Sequence, residues 1–205
     1  GFIGGLLQKE FDCRIDGARI SCFSDAERLI KKYQPEIIIN CIGITGKHSV
    51  DDCELEKDAT LLANSFVPII LAEICLRNNI KLVHIGSGCI FNYNYQKSKP
   101  IKEGDQDYFF KLYYSRSKIY SERSLEVLVK DYNILITRIR IPLLNIRHPK
   151  NVLDKLLKYK KVIDIPNSVT YIPDFIKAIK HLIKIDARGV YNLVNKGGLR
   201  YPKLM

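Results

Sequence analysis

Three short segments, Glu36–Cys41, Lys81–Ile85 and Ile134–Ile141, are dominated by apolar and β-branched residues, and long helix-patterned stretches separate them. A strand with one wet face alternates polar and apolar residues, whereas the run Glu36-Ile37-Ile38-Ile39-Asn40-Cys41 must be covered on both faces. Strands of that kind, alternating with helices, spell repeated β-helix-β crossovers. The chain is therefore expected to form a doubly wound α/β domain around a mostly parallel sheet.

Punctuation places the helices. Ser24-Asp25-Ala26-Glu27 has capping-box spacing and opens an amphipathic run to Tyr33, which Pro35 ends. A helix is predicted from Val50 to Arg77 with a break near Pro68, then a loop from Asn92 to Asp107 and a helix from Tyr113 to Lys130. After Pro142 the alternation loosens. A helix over Lys150 to Lys160, a strand over Val162 to Ile165, a helix over Pro173 to Ile185 and a strand over Val190 to Val194 read as a small lobe plus a strand returning to the sheet.

A chain of 205 residues, 46% hydrophobic and 27% charged, has the composition of one globular core, which excludes collagen, coiled coil and disorder. The net charge of +11 would suit an anionic partner, but its 33 Lys+Arg form no run of five or six like charges and read as solvated helix faces. No apolar run approaches the roughly 18 residues that span a bilayer, and the opening GFIGGLLQKE has no basic leader, so a soluble, cytoplasmic protein is expected. The six cysteines form no C-x-x-C pair, which supports neither a zinc site nor a disulfide framework. With no initiator Met and an end just after a strand-like segment, the chain is expected to be a fragment, or only the ordered part, of a longer one.

Three constellations carry chemistry. Gly1-Phe2-Ile3-Gly4 looks like the last two glycines of a Gly-rich turn whose backbone amides approach a pyrophosphate; a plain turn reads equally well, and the first strand and glycine would precede residue 1. Tyr114-Ser115-Arg116-Ser117-Lys118 opens a helix and sets Tyr114 and Lys118 one turn apart on one face. An ammonium there would favour the phenolate and bring the Tyr114 hydroxyl down from about 10 toward the operating pH of a proton donor. His84 to Phe91 (HIGSGCIF) puts small and polar residues just past a buried strand, where open α/β sheets bind ligands, and Ser87 is placed to hydrogen-bond a substrate carbonyl. Arg138 and Arg140 alternate along a strand and so share a face, where exposure is the commoner outcome and phosphate contact the other. His148 beside Pro149 is left outside the site.

Ser87, Tyr114 and Lys118, in that order at a strand end and a helix start, resemble the Ser/Thr, Tyr, Lys triad of the extended short-chain dehydrogenase/reductase superfamily. Asn40–Gly46 (NCIGITG), Val50–Glu54 (VDDCE), Gly88–Phe91 (GCIF) and Val162–Ser168 (VIDIPNS) narrow the likeness. Over nearly its whole length the chain is similar to the bifunctional 3,5-epimerase/4-reductases of UDP-L-rhamnose synthesis, relatives of dTDP-4-dehydrorhamnose reductase.

The resemblance implies a Rossmann-type dinucleotide-binding domain over residues 1–141, lacking its first strand, and a sugar-nucleotide lobe over residues 142–205. It implies UDP-4-keto-6-deoxy-glucose as substrate and Cys89 with Lys155 as the acid–base pair that inverts C3 and C5; a cysteine becomes a usable base beside a cation or a helix N-terminus. Ser87 and Tyr114 would hold the charge on the C4 oxygen, Tyr114 would protonate it after hydride transfer, and Lys118 would also hold the nicotinamide ribose. Gly1, Phe2, Ile3, Gly4, Arg19, Asn40, Cys41, Gly43 and Asn64 would complete the cofactor site. Thr45, Gly46, Ser87, Gly88, Cys89, Asn151, Pro166, Asn167 and Ser168 would face the substrate. Asp16 favours a free ribose 2′-hydroxyl and Arg19 a 2′-phosphate; relatives prefer NADPH, with NAD the alternative.

Other readings compete. A reductase without epimerase activity, or one working on dTDP sugars, shares the triad. A non-catalytic dinucleotide-binding subunit, like the regulatory subunit of methionine adenosyltransferase, shares the fold. A nucleic-acid binder rests on charge alone and is not expected. A homodimer is left open, and neither a membrane nor a metal is expected.

Overall fold

The structure, a computed structural model, describes residues 1–92, 99–106 and 108–204; the expected loop Asn92 to Asp107 falls partly outside them. In chain order the elements are α1 (Phe2–Glu10), α2 (Phe23–Tyr33), β1 (Ile37–Asn40), α3 (Lys57–Leu61), α4 (Val67–Arg77), β2 (Lys81–Ser87), α5 (Tyr113–Leu128), β3 (Ile134–Ile139), β4 (Pro142–Leu143), α6 (Val152–Leu156), β5 (Thr170–Tyr171), α7 (Ile172–Lys184) and β6 (Gly189–Asn192). β1, β2, β3 and β6 lie side by side in that order, all parallel, and β4 pairs with β5 in a small second sheet.

Every residue of β2 is buried, as a strand covered on both faces requires. It sends Leu82 into one core and Val83 with Ile85 into the other; β3 likewise sends Ile134 and Ile136 one way and Leu135 the other. The first core is closed by Ala26 of α2, Val67, Ile70, Leu71 and Ile74 of α4, and Leu125 of α5. The second is closed by Leu7 of α1 and by Phe175, Ile179 and Leu182 of α7. Helices thus cover both faces, and the doubly wound α/β expectation holds. The segment after Pro142 adds α7 and β6 to this main body, while β4, α6 and β5 lie beyond the end of β3.

Several local expectations need correction. α2 starts at Phe23 with Cys22 in the cap position and no side-chain cap; the Asp25 carboxylate instead reaches back to accept from the Ser21 amide at 2.9 Å and its hydroxyl at 2.8 Å, tying the incoming chain to the first turn, and these bonds hold that carboxyl down at about 2. A capping box sits instead at Ser49 and Asp52, opening a 3-10 turn over Val50–Glu54. Pro68 does not break the next helix. A proline lacks the N–H for the carbonyl four residues back and crowds it, and a π turn over Leu62–Phe66 gives that carbonyl room. The helix therefore runs unbroken over Lys57–Arg77, long and apolar enough by length and composition to cross a membrane, contrary to the reading that no run approaches that length; here its apolar side chains fill the first core.

α6 stops after Leu156, and 162–165 is not a strand, because Leu157, Tyr159 and Ile163 are exposed and the intervening lysines leave no face to bury. β3 ends at Ile139, as Ile141 adopts φ 43° and redirects the chain into β4.

Arg138 is not exposed. It and Glu122 are each 2% exposed, with Nε donating to Glu122 Oε1 at 2.6 Å, Nη2 to Glu126 Oε1 at 2.9 Å and Nη1 to the Glu103 carbonyl at 2.9 Å. Two glutamates one turn apart on α5 turn a strand arginine inward. Removing one partner of a buried pair strands the other's charge, which costs about 3–5 kcal/mol. Glu122→Ala should lower stability by about 3 kcal/mol in urea titration, near the lower end because Glu126 remains.

Candidate active site

β2 and β3 finish together, with Ser87 opposite Ile139, and the Gly88 amide extends the pairing to the Ile139 carbonyl at 2.9 Å. The chain leaving β2 therefore turns across the carboxyl edge of the sheet at Gly88 and Cys89, and the first turn of α5 meets it there. The Tyr114 hydroxyl donates to Ser87 Oγ at 3.3 Å, and Ser87 Oγ also accepts the Cys89 amide at 3.1 Å. Ser115 Oγ donates to the Cys89 carbonyl at 2.6 Å. From the far side Arg140 Nη1 donates to Cys89 Sγ at 2.9 Å and to the Gly88 carbonyl at 3.1 Å, while its Nε donates to Asn167 Oδ1 at 2.7 Å. Two hydroxyls and a sulfur converge on one edge, an arrangement suited to quenching negative charge on a carbonyl oxygen.

The expected lowering of the Tyr114 hydroxyl does not occur. Burial pushes it well above its ordinary value, neighbouring Cys89 adds to this, and the Ser87 hydrogen bond and Arg140 offset it only in part. Tyr114 therefore keeps its proton at neutral pH, the form a donor needs. The Lys118 amine lies instead beside Gly43, where an added Cβ would come within 3.3 Å of Nζ and 3.2 Å of Asn64 Oδ1. Burial pulls Lys118 down to about 8, opposed in part by the Glu122 charge. Its Nζ donates to no protein group among the described residues.

A second layer holds this edge. His84, buried in β2, is driven down to about 3 by burial and then by the Lys118 charge, so it is neutral and accepts from Asn40 Nδ2 at 3.1 Å. Asn40 Oδ1 accepts the Ile42 amide at 3.0 Å, which fixes the turn leading to Gly43. Asn64 is fully buried and clamps that loop to α5: Oδ1 accepts the Ile44 amide at 2.8 Å, and Nδ2 donates to the Ile44 carbonyl at 2.9 Å and Ser117 Oγ at 3.0 Å. Asn64 is thus a scaffold residue behind the expected cofactor site. Burial also lifts the half-buried Cys41 thiol to about 11.

The residues present fit a nicotinamide dinucleotide. A buried ammonium without a protein acceptor faces a bare glycine, and Gly4 lets α1 approach Cys41 so closely that a Cβ there would sit 3.4 Å from Cys41 Cβ. Gly1 caps α1, and Ile3 packs in the second core. Phe2 stacks on His148 with ring centroids 4.3 Å apart, which carries the segment after β4 to the start of α1. Arg19 is exposed, while Asp16 is engaged by the Tyr33 hydroxyl at 2.6 Å, the Ala18 amide at 2.7 Å and Lys32 at 3.4 Å.

The expected substrate residues divide. Ser87, Gly88, Cys89 and Asn167 meet at the edge, and Thr45 is exposed on the loop beside it. Gly46 has φ 72°, and any Cβ there would collide with the Ser49 carbonyl, so it serves the turn. The buried Asn151 amide is spent on Leu144 N, Leu144 O and Ile146 O at 3.1, 2.9 and 3.0 Å, so it shapes the lobe instead of facing a ligand. Pro166 packs on Gly198, Asn167 bridges to Leu199, and Ser168 is half-buried. Lys155 on α6 makes no hydrogen bond or ion pair with Cys89 or Tyr114; burial, then the Lys150 charge, lowers its amine. The cation on Cys89 is Arg140, which the sequence left among exposed residues. Its only sequence signal is its place just past the end of β3.

A family model described as the RmlD substrate binding domain matches residues 15–197. The chain is 31% identical, over its full length and 70% of the relative's, to a bifunctional dTDP-4-dehydrorhamnose 3,5-epimerase/dTDP-4-dehydrorhamnose reductase of Arabidopsis thaliana. It is 30% identical to a trifunctional UDP-glucose 4,6-dehydratase/UDP-4-keto-6-deoxy-D-glucose 3,5-epimerase/UDP-4-keto-L-rhamnose-reductase of the same plant, spanning about a third (32%) of that relative's length. Among solved structures, the L780 UDP-rhamnose synthase of Acanthamoeba polyphaga mimivirus superposes with a TM-score of 0.89 at 28% identity, covering 98% of this chain and 74% of that one. A dTDP-4-dehydrorhamnose reductase of Bacillus anthracis in complex with NADP shares the fold, with a TM-score of 0.79 at 22% identity, over 98% of this chain and 75% of that one.

Because Lys118 holds its proton only below about pH 8, any step that needs its charge should weaken as pH rises through about 8, not near the ordinary lysine value of 10.5. The kcat/KM for reduction of a nucleotide ketone should show that limb, and Lys118→Met should be slower and lack it. A wild-type profile flat to about pH 9.5 would contradict the placement of this amine.

Proposed function

The chain belongs to the RmlD family, and from that premise we propose that it is an NADPH-dependent bifunctional enzyme that turns UDP-4-keto-6-deoxy-D-glucose into UDP-L-rhamnose, epimerising C3 and C5 before reducing C4. The observation that carries this reading is the Tyr114–Ser87 hydroxyl pair, 3.3 Å apart, with the Cys89 amide on the same serine.

The C4 ketone acidifies the protons on C3 and C5. Cys89 as thiolate takes one of them; the C–H electron pair moves to the C4 oxygen, where the Tyr114 and Ser87 hydroxyls hold the enolate. Lys155, whose lowered amine gives up a proton more readily than an exposed lysine, returns one to the opposite face. Each inversion leaves one proton on the Cys89 sulfur and takes one from the Lys155 amine; loss of the former to solvent and uptake of one by the latter restore both groups, and the same sequence at the second carbon completes the inversion with no net change in protons. NADPH, when bound, would supply the hydride for C4. Tyr114 would deliver its retained proton to the same oxygen, so one oxyanion site would serve both reactions, and the Lys118 amine would hold the ribose.

The preference for NADPH rests on Arg19, left exposed, beside an Asp16 whose carboxylate is already engaged. The segment Pro166–Ser168 and the rest of the lobe after Pro142 would cover the sugar nucleotide. The competing reading, a reductase without epimerase activity, needs only Ser87, Tyr114 and Lys118. The names of the Arabidopsis relatives, which join epimerase and reductase in one chain, favour the bifunctional one.

With the ketone and no cofactor in D2O, the protein should place deuterium at C3 and C5, and adding NADPH should yield UDP-L-rhamnose by NMR. No deuterium, with NADPH still oxidised by UDP-4-keto-L-rhamnose, leaves a reductase alone; faster turnover of the dTDP sugars reassigns the nucleotide.

A further inference from the structure

Arg138 and Arg140 stand two residues apart, yet their charges are treated in opposite ways. Arg138 is neutralised by Glu122 and Glu126. Arg140 is half-buried and pairs with no carboxylate among the described residues. Among the described residues its guanidinium donates to the Cys89 sulfur, the Gly88 carbonyl and the Asn167 side-chain oxygen. A half-buried cation without a carboxylate gains less than Arg138 does from its two glutamates, so scaffold stability alone does not explain why one is kept against this sulfur.

The geometry points to Arg140 as a positioning residue for epimerisation: we propose that its rigid fork holds the Cys89 sulfur against the Tyr114–Ser87 edge and ties it to the lobe segment carrying Asn167. This deepens the bifunctional reading and rests on it. The fork is planar, so fixing Nε on Asn167 at 2.7 Å fixes the direction from which Nη1 reaches the sulfur at 2.9 Å. Asn167 is itself anchored, its amide and carbonyl pairing with Leu199 at 2.9 and 2.8 Å. The Arg140 amide donates to Thr170 Oγ1 at 2.9 Å, and that hydroxyl donates to the Leu193 carbonyl at 2.8 Å, so the arginine backbone is held from β5 and the residue after β6. The sulfur is thereby gripped by a group braced on the lobe, while its own backbone is braced on Ser87 and Ser115.

During abstraction the proton passes from sugar carbon to sulfur and the electron pair to the C4 oxygen. Arg140 stays protonated throughout and exchanges nothing. Reduction uses the same Tyr114 and Ser87 but not the sulfur. Loss of the fork should therefore separate two reactions that share Tyr114 and Ser87 but differ in their use of the sulfur.

The test uses the full chain as wild type, Cys89→Ala, Arg140→Gln and Arg140→Lys. Deuterium entry at C3 and C5 of UDP-4-keto-6-deoxy-glucose is followed without cofactor, and NADPH oxidation with UDP-4-keto-L-rhamnose. Misplacing a reacting group by about 1 Å costs on the order of 100-fold, so Arg140→Gln should lower the ratio of exchange to reduction by about 30-fold or more. Arg140→Lys, which keeps the charge and loses the fork, should recover part of that ratio and also covers the case in which the glutamine variant does not fold. Equal falls in both reactions, or an unchanged ratio in the lysine and glutamine variants alike, would overturn the positioning role while leaving the bifunctional reading intact. Full exchange in Cys89→Ala would take the sulfur out of the reaction and overturn this inference while epimerase activity stands, whereas no exchange in the wild type with reduction retained would overturn the bifunctional reading itself.

Discussion

The parallel pairing of β2 with β3 is the constraint on which the site hangs. Their register puts Ser87 opposite Ile139, and the backbone bond from Gly88 to Ile139 keeps the two chains together one residue further. Cys89 and Arg140 therefore leave the sheet at the same edge, close enough for a guanidinium to touch the sulfur. A shift of one residue in either strand would exchange inward and outward side chains along its whole length, sending Leu135 away from its core and breaking up the edge. Packing on both faces of the sheet thus specifies a chemical arrangement at its end, because the register that fills the two cores is also the one that assembles the site.

Burial at this edge moves titratable groups in ways that serve opposite needs. Tyr114 is held protonated, Lys118 is left with a charge it retains only to about pH 8, and His84 is held neutral. Of these, the Lys118 shift works against folding at neutral pH, since desolvation penalises an ammonium that the unfolded chain carries in water, while the Tyr114 and His84 shifts cost little there because both groups are already mostly neutral when unfolded. The two large cores offset the Lys118 penalty. The unsatisfied Lys118 amine beside Gly43 is the clearest mark of a scaffold that leaves bonds to be made by a ligand, for a buried ammonium in a purely structural setting finds oxygens, as Lys81 does with Asn133, Asp186 and the Ala187 carbonyl.

The strands and the triad are legible in the sequence because each has a local signature. A doubly covered strand is a continuous apolar run, and Tyr114 with Lys118 carries helical spacing. Ser87 is legible only because it follows such a run. Other features depend on partners far away in the chain. Ser24 looks like a cap, yet the helix opens one residue earlier without a side-chain cap, and it is Asp25 that ties back to Ser21. Asn64 and Asn151 look like ligand-facing amides, yet backbone groups consume them, and nothing within a few residues signals this. The stretch after α6 looks helical and then extended, but strand or helix there would need a neighbour to cover Leu157 and Ile163, and the fold supplies none among the described residues.

Arg138 and Arg140 show the limit most plainly. In sequence they are the same residue on the same face of one strand, and periodicity assigns them one fate. In the fold, β3 ends between them. Arg138 is still inside the ladder and lies under α5, where glutamates at positions 122 and 126 neutralise it. Arg140 is past the ladder, where the left-handed turn at Ile141 carries the chain away and α5 presents Tyr114 and Ser115 in place of acids. What distinguishes a scaffold cation from one free to act on a neighbouring sulfur is therefore the counter-charge that the opposing helix brings, and that is a property of the packed molecule.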